Sequence, residues 1–210
     1  MINIQKTLNY LREILSEADM WCVYGGAIRD HFRGHIVLHN ESDIDIAALP
    51  ISFNIIVKSL KLNGFIKNES ESIDQLEVYD QGCISKVSVF YKDDLKVQVC
   101  YICGSDLVNS EIGYDRGSYY HLYRDQLKAK VLVPARFADI RCCCVYMLPS
   151  GYMGECVDGA IEDCRLSKLI NNEFARHVDN IESRAKKLKS RGWVDMLNDL
   201  TDEDTSNLIF

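Results

Sequence analysis

Gly25 and Gly26 stand side by side after a short apolar run, and Asp43 and Asp45 follow with one residue between them. Each pair has its own chemistry. Two glycines where a strand gives way to a helix let the backbone approach a phosphate and aim amide N–H groups at it, and the helix dipole adds attraction for negative charge. On a strand, residues i and i+2 share a face, so two carboxylates project together and can hold a divalent ion or bridge two ions roughly 4 Å apart. Oxygen ligands of this kind select Mg2+ or Mn2+. Taken singly, each pair also reads as ordinary structure, a tight turn or a solvated strand edge. Their order along the chain, strand, glycine turn, helix and then an Asp-x-Asp strand, is much more specific than either alone.

These side chains meet only if the flanking elements bring them together. Residues 20–24 form a short apolar run that predicts a strand, and residues 27–33 a helix that Gly34 stops. Residues 43–49 alternate acidic and apolar before Pro50, as a half-buried strand does. Upstream, residues 4–17 space Leu8, Leu11, Ile14 and Leu15 as an amphipathic helix. Downstream, residues 53–62 predict a helix, and strand-like runs follow at 76–79, 86–91 and 96–102. Asp93-Asp94 marks a turn that makes the last two a hairpin. Residues 113–123 carry four tyrosines and read as an irregular surface segment. Further strands are expected at 129–133 and 141–147. A turn at Pro149-Ser150-Gly151 leads into a returning run at 152–157, and helices are expected at 161–170 and 173–190. The acidic tail after Leu200 lacks periodicity and is expected to fray. The sum is an α+β fold, a mixed and largely antiparallel sheet flanked by helices, with C-terminal helices. Residues 1–158 are expected to form the main domain, with residues 159–210 a helical segment packed on it.

Composition narrows the function classes. A chain of 210 residues with 47% hydrophobic content can bury its own core. A formal charge of -7 excludes coating nucleic acid by bulk charge, so any such contact is local. With no apolar run near a membrane span and no signal-like N-terminus, the expectation is a cytoplasmic protein without a membrane partner. Nine cysteines are an odd count, and reduced, buried thiols are expected. If Cys142, Cys143 and Cys144 lie on a strand they alternate faces and cannot share a metal, and Cys100-x-x-Cys103 has no second such pair to complete a zinc site. His31, His35 and His39 lie beside the glycine turn without converging. Arg184, Lys186, Lys187, Lys189 and Arg191 crowd one helix end, either complementing its dipole or contacting phosphates.

Gly25-Gly26-Ala27-Ile28-Arg29-Asp30 followed by Asp43-Ile44-Asp45-Ile46-Ala47 resembles the Gly-Gly-x-x-Arg-Asp and Asp-x-Asp motifs of the DNA polymerase beta-like nucleotidyltransferase superfamily. Within it, the similarity is to the head domain of bacterial-type CCA-adding tRNA nucleotidyltransferases and poly(A) polymerases. The motifs cover residues 20–49, and the expected strand order extends the match to about 103. The resemblance implies Mg2+-dependent transfer of a nucleoside monophosphate from an NTP. It assigns the nucleotide phosphates to Gly25 and Gly26, with Ser42 among the nucleotide-binding residues. Asp43 and Asp45 become the catalytic, metal-holding carboxylates. Arg29 and Asp30 brace the motif or reach towards the nucleotide.

The chain also departs from that pattern. The interval from Gly34 to Asp43 is longer than usual. Where the superfamily commonly carries a third carboxylate, this chain has Gln98, and Glu77, Asp93 or Asp94 would have to substitute. Glu162-Asp163-Cys164-Arg165 is one residue short of a Glu-Asp-x-x-Arg base-selecting motif, and the chain lacks room for a long tRNA-gripping body. Two readings follow: an enzyme acting on an acceptor hydroxyl, at an RNA or tRNA 3′ end or on a protein or small molecule, and a degenerate fold that binds nucleotide or RNA.

Overall fold

The computed structural model describes residues 2–39, 43–74, 84–102, 131–175 and 181–197. In chain order it comprises α1 (Ile4–Ile14), β1 (Trp21–Tyr24), α2 (Gly26–Phe32), β2 (Ile44–Ala48), α3 (Pro50–Leu62), β3 (Ile66–Ile73), β4 (Ile84–Lys92) and β5 (Leu95–Ile102). These are followed by α4 (Val133–Arg136), a 3-10 turn (Arg141–Cys143), β6 (Val145–Met147), β7 (Met153–Glu155), α5 (Ala160–Leu166), β8 (Lys168–Leu169), α6 (Ile181–Lys189) and β9 (Val194–Asp195).

Local chemistry sets several of these boundaries. Asn3 caps α1, its side-chain oxygen accepting the Lys6 N–H at 2.9 Å. Pro50 starts α3, where its fixed φ suits a first turn and its missing N–H costs nothing. Buried Ser52 receives the Met20 N–H on its hydroxyl at 2.9 Å, which ties the entry of β1 to α3. The two-residue loop Asp93-Asp94 closes the β4–β5 hairpin with Asp93 at φ 51°, a left-handed conformation that Asp tolerates.

The main sheet runs β3-β4-β5-β2-β1-β6-β7. Its pairs are antiparallel except β2 with β5, which is parallel because α3 and the β3–β4 hairpin carry the chain across before β5 enters. This is a mixed, largely antiparallel α+β fold flanked by helices, as expected from the sequence. One sheet face carries Val23, Ile44, Ile46, Phe90, Val97 and Val99 into the core beneath the helices. The other carries Cys22, Ala47, Val87, Val89 and Cys100 into a smaller cluster with Val131. Alternation along β2 and β5 therefore turns Asp45 and Gln98 to the face opposite the main core.

The C-terminal elements dock on α2. Ala185 and Leu188 of α6, with Trp193, enter the main core. Arg33 donates from Nε to Ser167 Oγ at 2.7 Å, from Nη1 to the Arg191 carbonyl at 2.9 Å and from Nη2 to the Gly192 carbonyl at 3.1 Å. It thus satisfies carbonyls just past the end of α6. The guanidinium carbons of Arg29 and Arg33 lie 5.5 and 5.0 Å from the Trp193 ring centre.

Three expectations are corrected, and one strand is found where none was expected. The polar run 66–73 is a strand, paired only with β4 at the sheet edge, where few side chains need to be apolar. Residues 131–133 lead into a helical turn instead of a strand, because Pro134 suits a first helical turn and has no N–H for a ladder. Cys142 and Cys143 lie in the 3-10 turn, so only the end of 141–147 is strand. Residues 173–175 are not helical; the last helix begins at Ile181 within the described residues, and α5 ends at Leu166 before Ser167 turns left-handed at φ 54°. The expected strand at 76–79, the tyrosine-rich 113–123 and the tail after Leu200 lie outside the described residues. Among those described, all seven cysteines are free and no helix is long and apolar enough to cross a membrane.

Trp193→Ala is expected to lower unfolding stability by about 3–5 kcal/mol in urea titrations. A loss below about 1 kcal/mol would mean that the C-terminal segment is not part of the cooperative core.

Candidate functional site

Gly25 is the residue on which α2 turns away from β1. Its backbone sits at φ 71° and ψ −137°, a region essentially reserved for glycine. A Cβ there would lie 3.1 Å from Asp45 Oδ2, and one on Gly26 would lie 3.5 Å from Arg29 Nη2. The turn is thus bare backbone set directly against the Asp45 carboxylate.

Register explains the meeting. Tyr24 pairs with Asp45 across β1–β2, and Asp45 pairs with Gln98 across β2–β5. Paired residues share a face, so Tyr24, Asp45 and Gln98 form a row. Asp43, two residues before Asp45, lies about 6.6 Å along the same face. Gln98 Nε2 donates to Asp43 Oδ2 at 2.5 Å. Asp43, Asp45 and Gln98 are all half-buried, open enough to meet a ligand and partly withdrawn from water.

The donor set suits a hard divalent cation. Two carboxylates on one face supply charge and oxygen, and the Gln98 side chain, turned over, would offer its carbonyl oxygen as a neutral donor. Mg2+ or Mn2+ would be held by Asp43 and Asp45. Among the described residues no group of three or more His, Cys, Asp or Glu is arranged to hold a metal, so neither Asp93 nor Asp94 completes a triad. Glu77 and Ser42 lie outside the described residues.

Arg29 and Asp30 are buried, and the guanidinium donates to Asp30 Oδ1 from Nε and Nη2, both at 3.2 Å. Its Nη1 donates to Cys143 Sγ at 3.6 Å. These contacts tie Arg29 to its own helix and to the 3-10 turn. Burial works against the Arg29 charge, but Cys143, Asp30 and Cys142 outweigh it and hold the guanidinium above its ordinary value. A hydrogen bond from Cys142, with the charges of Arg29 and Arg184, draws the Cys143 thiol below its ordinary value despite its burial.

The other sequence candidates are engaged elsewhere. Asp163 is buried and takes a two-pronged ion pair from Arg141 at 2.6 and 2.9 Å, which makes it a structural anchor of α5. Arg184 pairs with Asp139 at 2.6 Å and Lys189 with Asp195 at 2.8 Å. Helix α6 packs into the main core, the sheet face away from Asp45 and Gln98. His31 is partly buried, which lowers its basicity, and its ring meets the edge of Phe32 at 5.8 Å.

Sequence reasoning missed three residues on the carboxylate face. Lys96 precedes Gln98 by two and pairs in register with Tyr91. Its Nζ donates to Glu71 Oε2 at 2.7 Å, and Tyr91 Oη donates to the same carboxylate at 2.8 and 3.0 Å. Hydrogen bonds from Lys96 and Tyr91 hold the Glu71 carboxyl below its ordinary value, and the bond to Glu71 holds Lys96 above its own. The period-two spacing of Lys96 and Gln98 was a usable signal; that of Glu71 was not, because β3 carries no strand-like pattern.

No protein-family model and no curated protein matches the chain. Among solved structures it is similar to a tRNA-processing enzyme in an apo form, with 14% identity and a TM-score of 0.49 over 89% of this chain. A second structure, described as tRNA-processing enzyme complex 3, gives 14% and 0.48 over 86%. The Bacillus stearothermophilus CCA-adding enzyme in complex with CTP gives 15% and 0.41 over 91%. The chain spans only 40%, 40% and 38% of those three chains, respectively.

Two substitutions probe this geometry. Gly25→Ala is expected to cost about 1–3 kcal/mol of stability, because the added Cβ enters a disfavoured backbone region and presses on Asp45. Gln98→Glu is expected to tighten Mn2+ binding about tenfold or more in calorimetric titration, since it adds a charge beside Asp43. Equal Mn2+ affinity in wild type and Gln98→Glu would show that position 98 does not face the cation.

Proposed function

We propose that the protein is a Mg2+-dependent nucleotidyltransferase that moves a nucleoside monophosphate from an NTP to an acceptor hydroxyl. The observation that carries this reading is the 3.1 Å approach of the Asp45 carboxylate to the Cβ position of Gly25. It puts bare backbone fit for phosphate oxygens and a carboxylate fit for a cation within one ligand's reach. The motif order of the sequence supports the same reading.

In the reaction, the acceptor oxygen forms a bond to the α-phosphorus while the bond from that phosphorus to the bridging oxygen of pyrophosphate breaks. The hydroxyl proton passes to solvent water, and pyrophosphate departs with the bond's electron pair. Divalent metal, held by Asp43 and Asp45, would neutralise charge on the triphosphate and the departing pyrophosphate. The amides at Gly25 and Gly26 hold the phosphates, and Arg29 with Asp30 keeps α2 at its angle to the sheet. Because α2 has seven residues, this phosphate contact rests on the half-buried turn more than on an extended helix dipole. An RNA 3′ end is the first acceptor to test, with protein and small-molecule hydroxyls next.

One observation favours a second reading. Gln98 binds Asp43 through its amide nitrogen where a carboxylate would add metal affinity. A site of two carboxylates suits nucleotide binding with slow or absent turnover.

The two readings separate in one assay. Protein, Mg2+ and each α-labelled NTP are incubated with total RNA and with candidate proteins, beside Asp43→Asn/Asp45→Asn. Label transferred by wild type, and reduced by about a hundredfold or more in the double variant, is the expected result. Equal labelling by both proteins, or by neither while nucleotide still binds, would sink the enzymatic reading.

A further inference from the structure

Across the carboxylate face, the groups fall in a fixed order. The glycine turn lies at the β1 side, Asp43 just ahead of β2 and Asp45 on it, Gln98 and Lys96 on β5, Tyr91 on β4 and Glu71 on β3. The pair Ile44–Val97 turns inward to the main core, so the residues one step earlier, Asp43 and Lys96, stand side by side on the outer face. Lys96 therefore lies between two carboxylates, Asp43 on one flank and Glu71 two strands away on the other. It reaches Glu71, at 2.7 Å, and its ammonium lies 5.7 Å from the Tyr91 ring centre. Asp43 is taken instead by Gln98.

In-line displacement gives this order a direction. A nucleophile must approach the α-phosphorus from the side opposite the leaving pyrophosphate. With the triphosphate on the glycine turn, the acceptor enters from β5 and β4. The first cation it meets there is Lys96, beside a half-exposed aromatic ring.

We infer that Lys96 and Tyr91 form the acceptor subsite and that it takes a phosphate-bearing acceptor, the phosphate seated on Lys96 and an adjacent planar group on Tyr91. The inference rests on the reading of Gly25, Asp43 and Asp45 as the nucleotide site. Glu71 competes with the acceptor phosphate for Lys96 and keeps the ammonium extended along the sheet until an anion replaces it. The Lys96 side chain is 30% exposed and that of Glu71 39%, so the exchange needs no backbone movement. A cationic acceptor would meet Lys96 as a repelling neighbour, and a neutral one would find no partner for it.

The test uses the full chain, a short single-stranded RNA and the same RNA with an uncharged methylphosphonate at its 3′-terminal linkage. Wild type is expected to bind the phosphodiester form about tenfold more tightly than the methylphosphonate form. Lys96→Gln is expected to abolish that gap, Lys96→Arg to preserve it, and Glu71→Gln to widen it. A gap of the same size in wild type and Lys96→Gln, or no gap in wild type, would overturn the assignment. Mg2+–NTP affinity, measured in parallel on wild type, Lys96→Gln and Asp45→Asn, separates this inference from its premise. It is expected to hold within about twofold in Lys96→Gln and to fall in Asp45→Asn. If Lys96→Gln lost NTP affinity as Asp45→Asn does, Lys96 would belong to the nucleotide's phosphates and not to the acceptor. If wild type bound no NTP yet kept the gap, the transferase reading would fail and the anion subsite would stand.

Discussion

The arrangement depends on the contact between Gly25 and Asp45. A side chain at position 25 would need a backbone conformation that L-residues avoid, and its Cβ would press on the Asp45 carboxylate at 3.1 Å. Glycine removes both obstacles, so β1 can end beside the strand that carries Asp45 on its outer face, with Asp43 just ahead of it. The angle at which α2 leaves that turn is then held from behind. Arg29 is fixed by Asp30 and Cys143, and with Arg33 it grips Trp193, so the C-terminal segment buttresses the glycine turn from the helical side. The candidate chemistry lies on one face of the sheet and its mechanical support on the other.

The parallel β2–β5 pair has an equal share in the outcome. It sets Gln98 opposite Asp45 and Lys96 beside Asp43, mixing an amide and a cation into what would otherwise be a purely acidic patch. Two negative charges with an amide donor demand less counter-charge than three carboxylates would. The same face therefore combines two carboxylates with a cation of its own, and the proposed ligand is one that brings both metal and phosphate.

Much of this was legible because it follows from local rules. The glycine turn, the Asp-x-Asp strand, the β4–β5 hairpin at Asp93-Asp94 and α1 all announce themselves through φ requirements, period-two alternation or helical spacing. Position 98 was recognisable as the point of departure from a family pattern; its hydrogen bond to Asp43 was not, since that depends on a register set by residues some fifty positions apart. The β3 strand was opaque because an edge strand with one partner can be polar throughout, as Asn68, Glu69, Ser70 and Glu71 are. The cysteine run misled in another way. Three small apolar side chains suit a strand and a buried 3-10 turn equally well, and tertiary packing against Arg29 and α5 decided between them.

We propose that the glycine turn and the Asp43–Asp45 pair are two halves of one site. The most direct test is a crystal structure of the protein with Mn2+ and a non-hydrolysable NTP, using anomalous scattering to locate the metal. A Mn2+ peak bound by carboxylate oxygens of Asp43 and Asp45, with the triphosphate against the amides of Gly25 and Gly26, is the expected result. A nucleotide bound away from the glycine turn, or Mn2+ bound without either aspartate, would contradict it.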